Sequence, residues 1–276
     1  MSISPTLDFS DILDRRSSGK TPLDSAKQVE LRILRIFDRI CRHHNLTYFL
    51  AYGTMLGAVR HGGFIPWDDD IDIGMPMEDY KRFIEIGVGD LPSDLIFIPP
   101  SHSKSRVRFA KIFDRKSFYL DNGARYQDMT APMGIFIDIF PYQGYRTYYL
   151  QMTMTRLVRH ADRYILRIGE LTFISLWRKW FWAFVRLFIC RVYDIIFATS
   201  KGSWCTIPKA YGGGFDIYKT STLYPTSVIL FEGYLFPAPA DPENYLQVTF
   251  GDWQKLPPES ERYTHASLII PDVTNP

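Results

Sequence analysis

Four aspartates fall within five positions of this chain, Asp68, Asp69, Asp70 and Asp72, in the stretch IPWDDDIDIG at 65–74. Like charges packed so densely are tolerated in a folded protein only when they are well solvated or when something positive holds them. The second half of the stretch favours the positive partner. Asp70-Ile71-Asp72-Ile73 alternates polar and apolar with the period of a β-strand, which sends both carboxylates to one face and both isoleucines into a core. A helix would spread positions 70 and 72 around its circumference, and Gly74 with Pro76 would end it. A calcium loop counted from Asp68 would want Gly at its sixth position and Glu at its twelfth, where this chain has Ile73 and Asp79. The pattern predicts a strand that offers two carboxylates to a divalent cation.

The remainder of the chain is rich enough in apolar residues to build a sizeable core around such a strand, with 276 residues of which 46% are hydrophobic. Its net charge of +2 is unevenly spread: residues 151–201 carry nine Lys/Arg against three Asp/Glu, which leaves the rest net negative. Cys41, Cys190 and Cys205 show no CxxC or Cys/His ligand spacing, so neither a disulfide framework nor a zinc site is expected. The start, MSISPTLDFSDILDRR, lacks a basic run followed by an apolar core, and a cytoplasmic location is the expectation.

Residues 1–20 read as a loose polar arm. Thr21-Pro22 then opens a helix over about 22–44, and Tyr48–Tyr52 forms a short apolar strand that ends in a Gly53-Thr54 turn. Met55–Arg60 follows as a helical turn, then the acidic strand, a helix over Pro76–Gly87, and strands at Leu95–Ile98 and Arg106–Phe113. In the run Ile135–Phe140, Asp138 is the one charge. A carboxylate there needs a cation, a donor or the open end of a sheet. From Tyr145 to about Ala198 the period is helical, with Arg156, Arg163, Arg167, Arg178, Lys179 and Arg186 on roughly one side of the wheel and aromatic and aliphatic residues opposite. Charges interrupt every apolar run short of the ~20 residues a membrane span needs. Residues 171–198 therefore suit either a membrane surface or a helix packed on the protein. A last helix starts at Asp241-Pro242 and stops at Gly251, while Ser227–Leu230 looks too short to make a sheet of its own.

A Gly-Thr turn after an apolar strand, paired carboxylates on the next strand and a third carboxylate on a later one form a set. Backbone amides at the glycine and the Thr54 hydroxyl can hold phosphate oxygens. Paired carboxylates can hold Mg²⁺ against those phosphates, and the third can complete the metal site or take a proton. Phosphoryl transfer from a nucleotide suits these parts. In this order they resemble the nucleotidyltransferase fold, and YFLAYGTMLGAVRHGGFIPWDDDIDIGMPMEDY at 48–80 resembles the signature of the LicD family, bacterial phosphocholine transferases related to fukutin-type phospho-alditol transferases. GIFIDIFP at 134–141 and PENYLQVTFGDWQKLPP at 242–258 extend the likeness, which leaves out residues 1–20 and about 145–225.

The resemblance implies an α+β architecture, a nucleotidyltransferase-like mixed sheet flanked by helices. Its expected layout is a polar arm at 1–20, a catalytic core at 21–145, a basic amphipathic helical insertion at 146–200 and a C-terminal cover at 201–276. It implies Asp70, Asp72 and Asp138 as catalytic and metal-binding residues, Asp68 as a further ligand, and Gly53, Thr54 and Lys111 as contacts to the donor's phosphates; Arg108, a neighbour of Lys111, has the same capability. The implied cofactor is Mg²⁺, with Mn²⁺ as an alternative. The implied reaction moves phosphocholine from CDP-choline to a sugar hydroxyl of a glycan or its lipid-linked precursor, such as lipopolysaccharide, teichoic acid or capsule, at the inner face of the membrane. Met77, where family members usually carry Arg, and Gln143, where a carboxylate is usual, bear on substrate contacts rather than on metal ligands.

Other readings stay open on the residues alone. The donor could carry another CDP-linked alditol, or a nucleotidyl group could pass to RNA, protein or a small molecule, which for RNA would call for a basic groove. A non-catalytic membrane- or glycan-binding module would leave the acidic block dispensable. A sugar-nucleotide glycosyltransferase also uses paired aspartates, but no repeated βαβ pattern precedes Asp70.

Overall fold

Thr21 begins the first long helix, α1 (Pro22–His43): its side chain accepts from the Asp24 amide while the Asp24 carboxylate accepts from the Thr21 amide. That reciprocal cap satisfies two otherwise orphaned donors. The computed structural model describes residues 7–100, 109–122, 133–167, 190–208 and 216–274, with scattered positions between 177 and 188. One face of α1, including Val29, Ile33, Phe37 and Ile40, is fully buried, and the helix packs across β4 (Ala110–Asp114) and β6 (Phe136–Tyr145). The apolar run after it supplies only β1 (Phe49–Leu50) before α2 (Tyr52–His61) starts. Gly53 and Thr54 thus sit in the first turn of a helix, not in a free turn.

The acidic stretch leads into β2 (Ile71–Pro76), where Ile71 and Ile73 are buried and Asp72 faces the other side, as the alternation requires. A helix follows at once, α3 (Met77–Arg82), continued by a wider turn to Gly87. β3 (Leu95–Ile98) lies at one edge. Among the described residues, seven strands make one mixed sheet: β1-β2-β6-β4-β3 in order, with β7 (Trp204–Thr206) on the far part of β6 and β8 (Tyr218–Lys219) on β7. β2 and β6 run parallel and the other pairs antiparallel. Helices flank this sheet, and the architecture is α+β.

Several expectations need correction. The arm is not loose from residue 7 onward: Ile12 is buried in the core, and Arg16 makes a two-pronged ion pair with the buried Asp114, with 2.8 Å from Nη2 to Oδ1. Its charge draws it in. β6 does not stop at Pro141 but runs to Tyr145, so α4 (Tyr148–Arg167) starts later; α5 (Cys190–Phe197) closes that region. Ser227–Phe231 does form a sheet of its own: as β9 it pairs with β10 (Tyr234–Ala238) across Glu232-Gly233, both with positive φ, the tight hairpin turn that matches strand twist. The predicted last helix is present as α7 (Pro242–Phe250), after a short α6 (Thr220–Leu223), and Asp241 caps it by accepting from the Asn244 amide. Beyond it the chain returns as β11 (Ala266–Ile270) to pair with β5 (Phe118–Asp121), 145 or more residues away in sequence for each partner pair.

Candidate active site

Strand register builds the site. In the parallel pair Asp72 lies opposite Asp138, and in the antiparallel pair Asp138 lies opposite Lys111. Asp72, Asp138 and Lys111 therefore form one row across three adjacent strands. Lys111 Nζ donates to Asp138 Oδ2 at 2.8 Å, lies 2.6 Å from Oδ1, and sits 3.4 Å from the centre of the Phe136 ring. Asp70, immediately before β2, joins the row's acidic end: one oxygen each of Asp70, Asp72 and Asp138 lie within 4.8 Å of one another.

The three consecutive aspartates have three surroundings. Asp68 faces the cleft, with its Oδ2 2.8 Å from where a Cβ on Gly53 would stand, so only glycine leaves this carboxylate its place. Asp69 points inward and is fully buried; it accepts from the Tyr119 hydroxyl (2.8 Å) and from the amides of His265 (2.9 Å) and Ala266 (2.8 Å). It thereby ties β11 to the acidic loop. Asp70 faces the row. From α1, Lys27 donates to the carbonyls of Ile65 and Pro66 and fixes the loop's entry.

At the start of α2, Tyr52 has φ of 41°, a conformation that costs a bulky residue on the order of 1–3 kcal/mol. The surroundings hold it there: its amide donates to the Tyr245 hydroxyl at 3.1 Å and its ring packs 5.1 Å from Phe140. The buried Thr54 Oγ1 accepts the Asp72 amide at 2.8 Å, and the hydroxyl keeps its hydrogen to donate. It holds the strand that carries a carboxylate. Lys111 meets Asp138 rather than standing open to a phosphate.

In the cluster, burial and mutual repulsion of the carboxylates outweigh the pull of Lys111 and His265. Burial first, then the charges of Asp68 and Asp138, push Asp70 up to about 7. Burial, Asp70 and Asp138 raise Asp72 well above the carboxylate range, against the pull of Lys111. Burial also raises Asp138, with Lys111 opposing it. In contrast Asp69 ends below the usual value: its burial is outweighed by the bonds from His265, Tyr119 and the backbone. The hydrogen bond to Asp69 lifts His265 to about 9. His265 also groups with Asp68 and Asp70, one ligand atom of each lying within 4.8 Å of the others. The fully buried Glu30 of α1 is raised well above its normal range by burial and by Asp70, Asp69 and Asp68.

This oxygen-rich donor set fits a hard divalent cation. Asp70 and Asp72 are the best placed ligands, since both oxygens of Asp138 already lie within 3 Å of the Lys111 ammonium. The acidic face opens into a cleft of about 620 Å³, whose other wall is the segment after α7, including Trp253, Pro257 and Tyr263. The two walls are tied together: Thr264 Oγ1 donates to the Trp67 carbonyl (3.1 Å), and the Arg262 guanidinium lies 5.0 Å from the Trp67 ring.

Residues 45–179 match the LicD/FKTN/FKRP nucleotidyltransferase domain, a span that contains Gly53, the acidic stretch and Asp138. That span is a LicD-type nucleotidyltransferase domain. The chain is 26% identical over 272 residues to the lipopolysaccharide cholinephosphotransferase LicD of Haemophilus influenzae, covering 89% of this chain and 96% of that protein. It is also 56% identical over 32 residues to the ribitol 5-phosphate transferases FKRP of Homo sapiens and Mus musculus, covering 12% of this chain and 6% of each of those proteins.

The structure brings together Gly53, Thr54, Asp68, Asp70, Asp72, Lys111 and Asp138. Arg108 lies outside the described residues, as do Arg178, Lys179 and Arg186 of the predicted basic face. His265 and Asp69 are the residues that sequence reasoning left unassigned; the signal was the family-like C-terminal stretch, which places His265 shortly after the second wall. Of the family departures, Met77 is buried at the start of α3, and Gln143 Nε2 donates to the Thr199 carbonyl at 3.2 Å, away from the acidic row. Among the described residues no helix is long and apolar enough to cross a membrane.

Proposed function

We propose that this chain is a LicD-family phosphotransferase that moves phosphocholine from CDP-choline to a sugar hydroxyl of a surface glycan or its lipid-linked precursor. The observation that carries the reading is the convergence of Asp70, Asp72 and Asp138, the first two of which line the cleft beside Gly53 at a helix start. The full-length similarity to a lipopolysaccharide cholinephosphotransferase supplies the choline and the glycan.

A divalent cation, Mg²⁺ or Mn²⁺, held by Asp70 and Asp72 supplies charge neutralisation for the donor's phosphates. The start of α2 presents backbone amides to phosphate oxygens, with glycine at 53 permitting close approach. The acceptor oxygen attacks the phosphorus that bears choline, a new phosphate ester forms, and the bond to the bridging oxygen breaks so that CMP leaves. Asp138 takes the hydroxyl proton: burial strengthens it as a base, and Lys111 steadies the charge it holds before the transfer. A lipid-linked acceptor would meet the chain at a membrane surface, which the exposed Trp177, Trp180, Phe181, Phe184 and Phe188 support.

The test is choline transfer to a lipid-linked or lipopolysaccharide acceptor, read together with stoichiometric CMP release, with Mg²⁺ and with EDTA. The wild type should turn over only with the metal, and Asp70→Asn should lose at least ~10³ in kcat, as expected when transition-state charge stabilisation is removed. Nucleotide retained on the acceptor instead of phosphocholine would replace this reading with nucleotidyl transfer.

A further inference from the structure

The cleft has two chemistries. One wall is acidic and suited to phosphate and metal; the other, residues 250–263, is built from rings and prolines with carboxylates among them. Phe250 is 44% exposed, Tyr263 64% and Leu256 48%, and Trp253 lines the same cleft, partly buried against the core. Exposed apolar residues clustered in a cleft mark a binding surface. Asp252 and Glu261 line the same wall, and among the described residues the cleft's basic groups are Arg60 and Lys255, with His265 near the acidic end.

We infer that Trp253, Phe250 and Tyr263, with Asp252 and Glu261, form the subsite for the quaternary ammonium of the donor, and that this wall sets the choice of choline over uncharged alditols. The inference rests on the transferase reading above. A quaternary ammonium has no N–H to donate, so it is held by ring faces and by the field of nearby carboxylates. The wall meets both needs and stands across the cleft from the phosphate site. It is also pre-organised. Gly251, with φ of 70°, turns the chain out of α7, Arg262 Nε donates to the Pro257 carbonyl at 3.0 Å, and the Tyr263 ring packs 5.7 Å from His265. Tyr142 and Tyr145 of β6 are buried and do not line the cleft.

The experiment compares CMP release from CDP-choline and from CDP-glycerol, with the same acceptor and Mg²⁺, for the wild type, Trp253→Leu, Trp253→Phe and Tyr263→Ala, with thermal melting to check folding. Trp253→Leu should lower the choline-to-glycerol ratio of kcat/KM by on the order of tenfold or more, mainly through KM, the scale expected for a lost cation–π contact. Trp253→Phe, which keeps a ring face, should retain most of the preference. The exposed Tyr263→Ala, which carries little risk to folding, should lower the ratio several-fold. A wild type that uses CDP-choline while all three variants keep its selectivity would overturn the subsite and leave the transferase reading standing. A wild type that uses CDP-glycerol but not CDP-choline would overturn the donor assignment and the subsite with it.

Discussion

Asp68, Asp69 and Asp70 are adjacent in sequence and unlike in surroundings, and the difference makes their titration informative. Asp70 is pushed up to about 7 by burial and then by Asp68 and Asp138, whereas a carboxylate in the unfolded chain titrates near ~3.9. The folded state then binds more protons than the unfolded one between those values, so stability falls as pH rises through that window. His265 acts in the same direction at higher pH. Raised to about 9 by Asp69, it contributes stability that is complete below its unfolded value of ~6.5 and lost as pH rises through 9. Metal-free protein should therefore melt at a lower temperature at pH 8 than at pH 5. Mg²⁺ should recover the difference at pH 8, and Asp70→Asn should raise the pH 8 melting temperature while abolishing activity. Calorimetry in EDTA checks this; a melting temperature that climbs from pH 5 to pH 8 would show that the carboxylates are not under mutual strain.

At the scale of elements, the row Asp72–Asp138–Lys111 explains how a strand as apolar as β6 accommodates its charge. Lys111 supplies the partner, and its removal leaves a buried carboxylate facing Asp72. Lys111→Met should cost about 3 kcal/mol or more in denaturant unfolding, the usual consequence of breaking a buried pair from one side. A variant as stable as the wild type would mean that Asp138 is already neutral. Much of this row was legible in the sequence, because period-two alternation at 70–73 and a lone Asp in 135–140 report the face of each carboxylate. Register was not legible: nothing local says that position 138 stands opposite 72 and 111. The hairpin at 227–238 was missed because Glu232-Gly233 is a weaker turn signal than Asn-Gly, although Gly233 at φ of 80° fulfils the same role. The first turn of α2 was read as a loop because glycine and threonine are poor helix formers; there the site's geometry overrides propensity.

At the scale of the whole molecule, the C-terminal segment completes the site. Asp69 draws β11 onto the acidic loop, and the preceding residues close the cleft with aromatic side chains. Such a contact between residues nearly two hundred positions apart leaves no local trace, which is why His265 could not be assigned from the sequence. The buried Arg16–Asp114 pair, with Arg16 Nη1 also donating to the Pro271 carbonyl at 2.8 Å, fastens the N-terminal arm and the C-terminal strand to the same sheet. On the proposed reading, the clustered aspartates persist because a divalent cation and donor phosphates rest against them. Its most direct test is Mn²⁺ binding in the presence of CMP, followed by electron paramagnetic resonance, for the wild type and Asp72→Asn. The wild type should take up Mn²⁺ stoichiometrically, and the variant should bind at least ~10-fold more weakly, as expected on loss of a charged ligand. Wild-type protein that leaves Mn²⁺ free in solution, or an Asp72→Asn variant that binds it equally well, would contradict the claim.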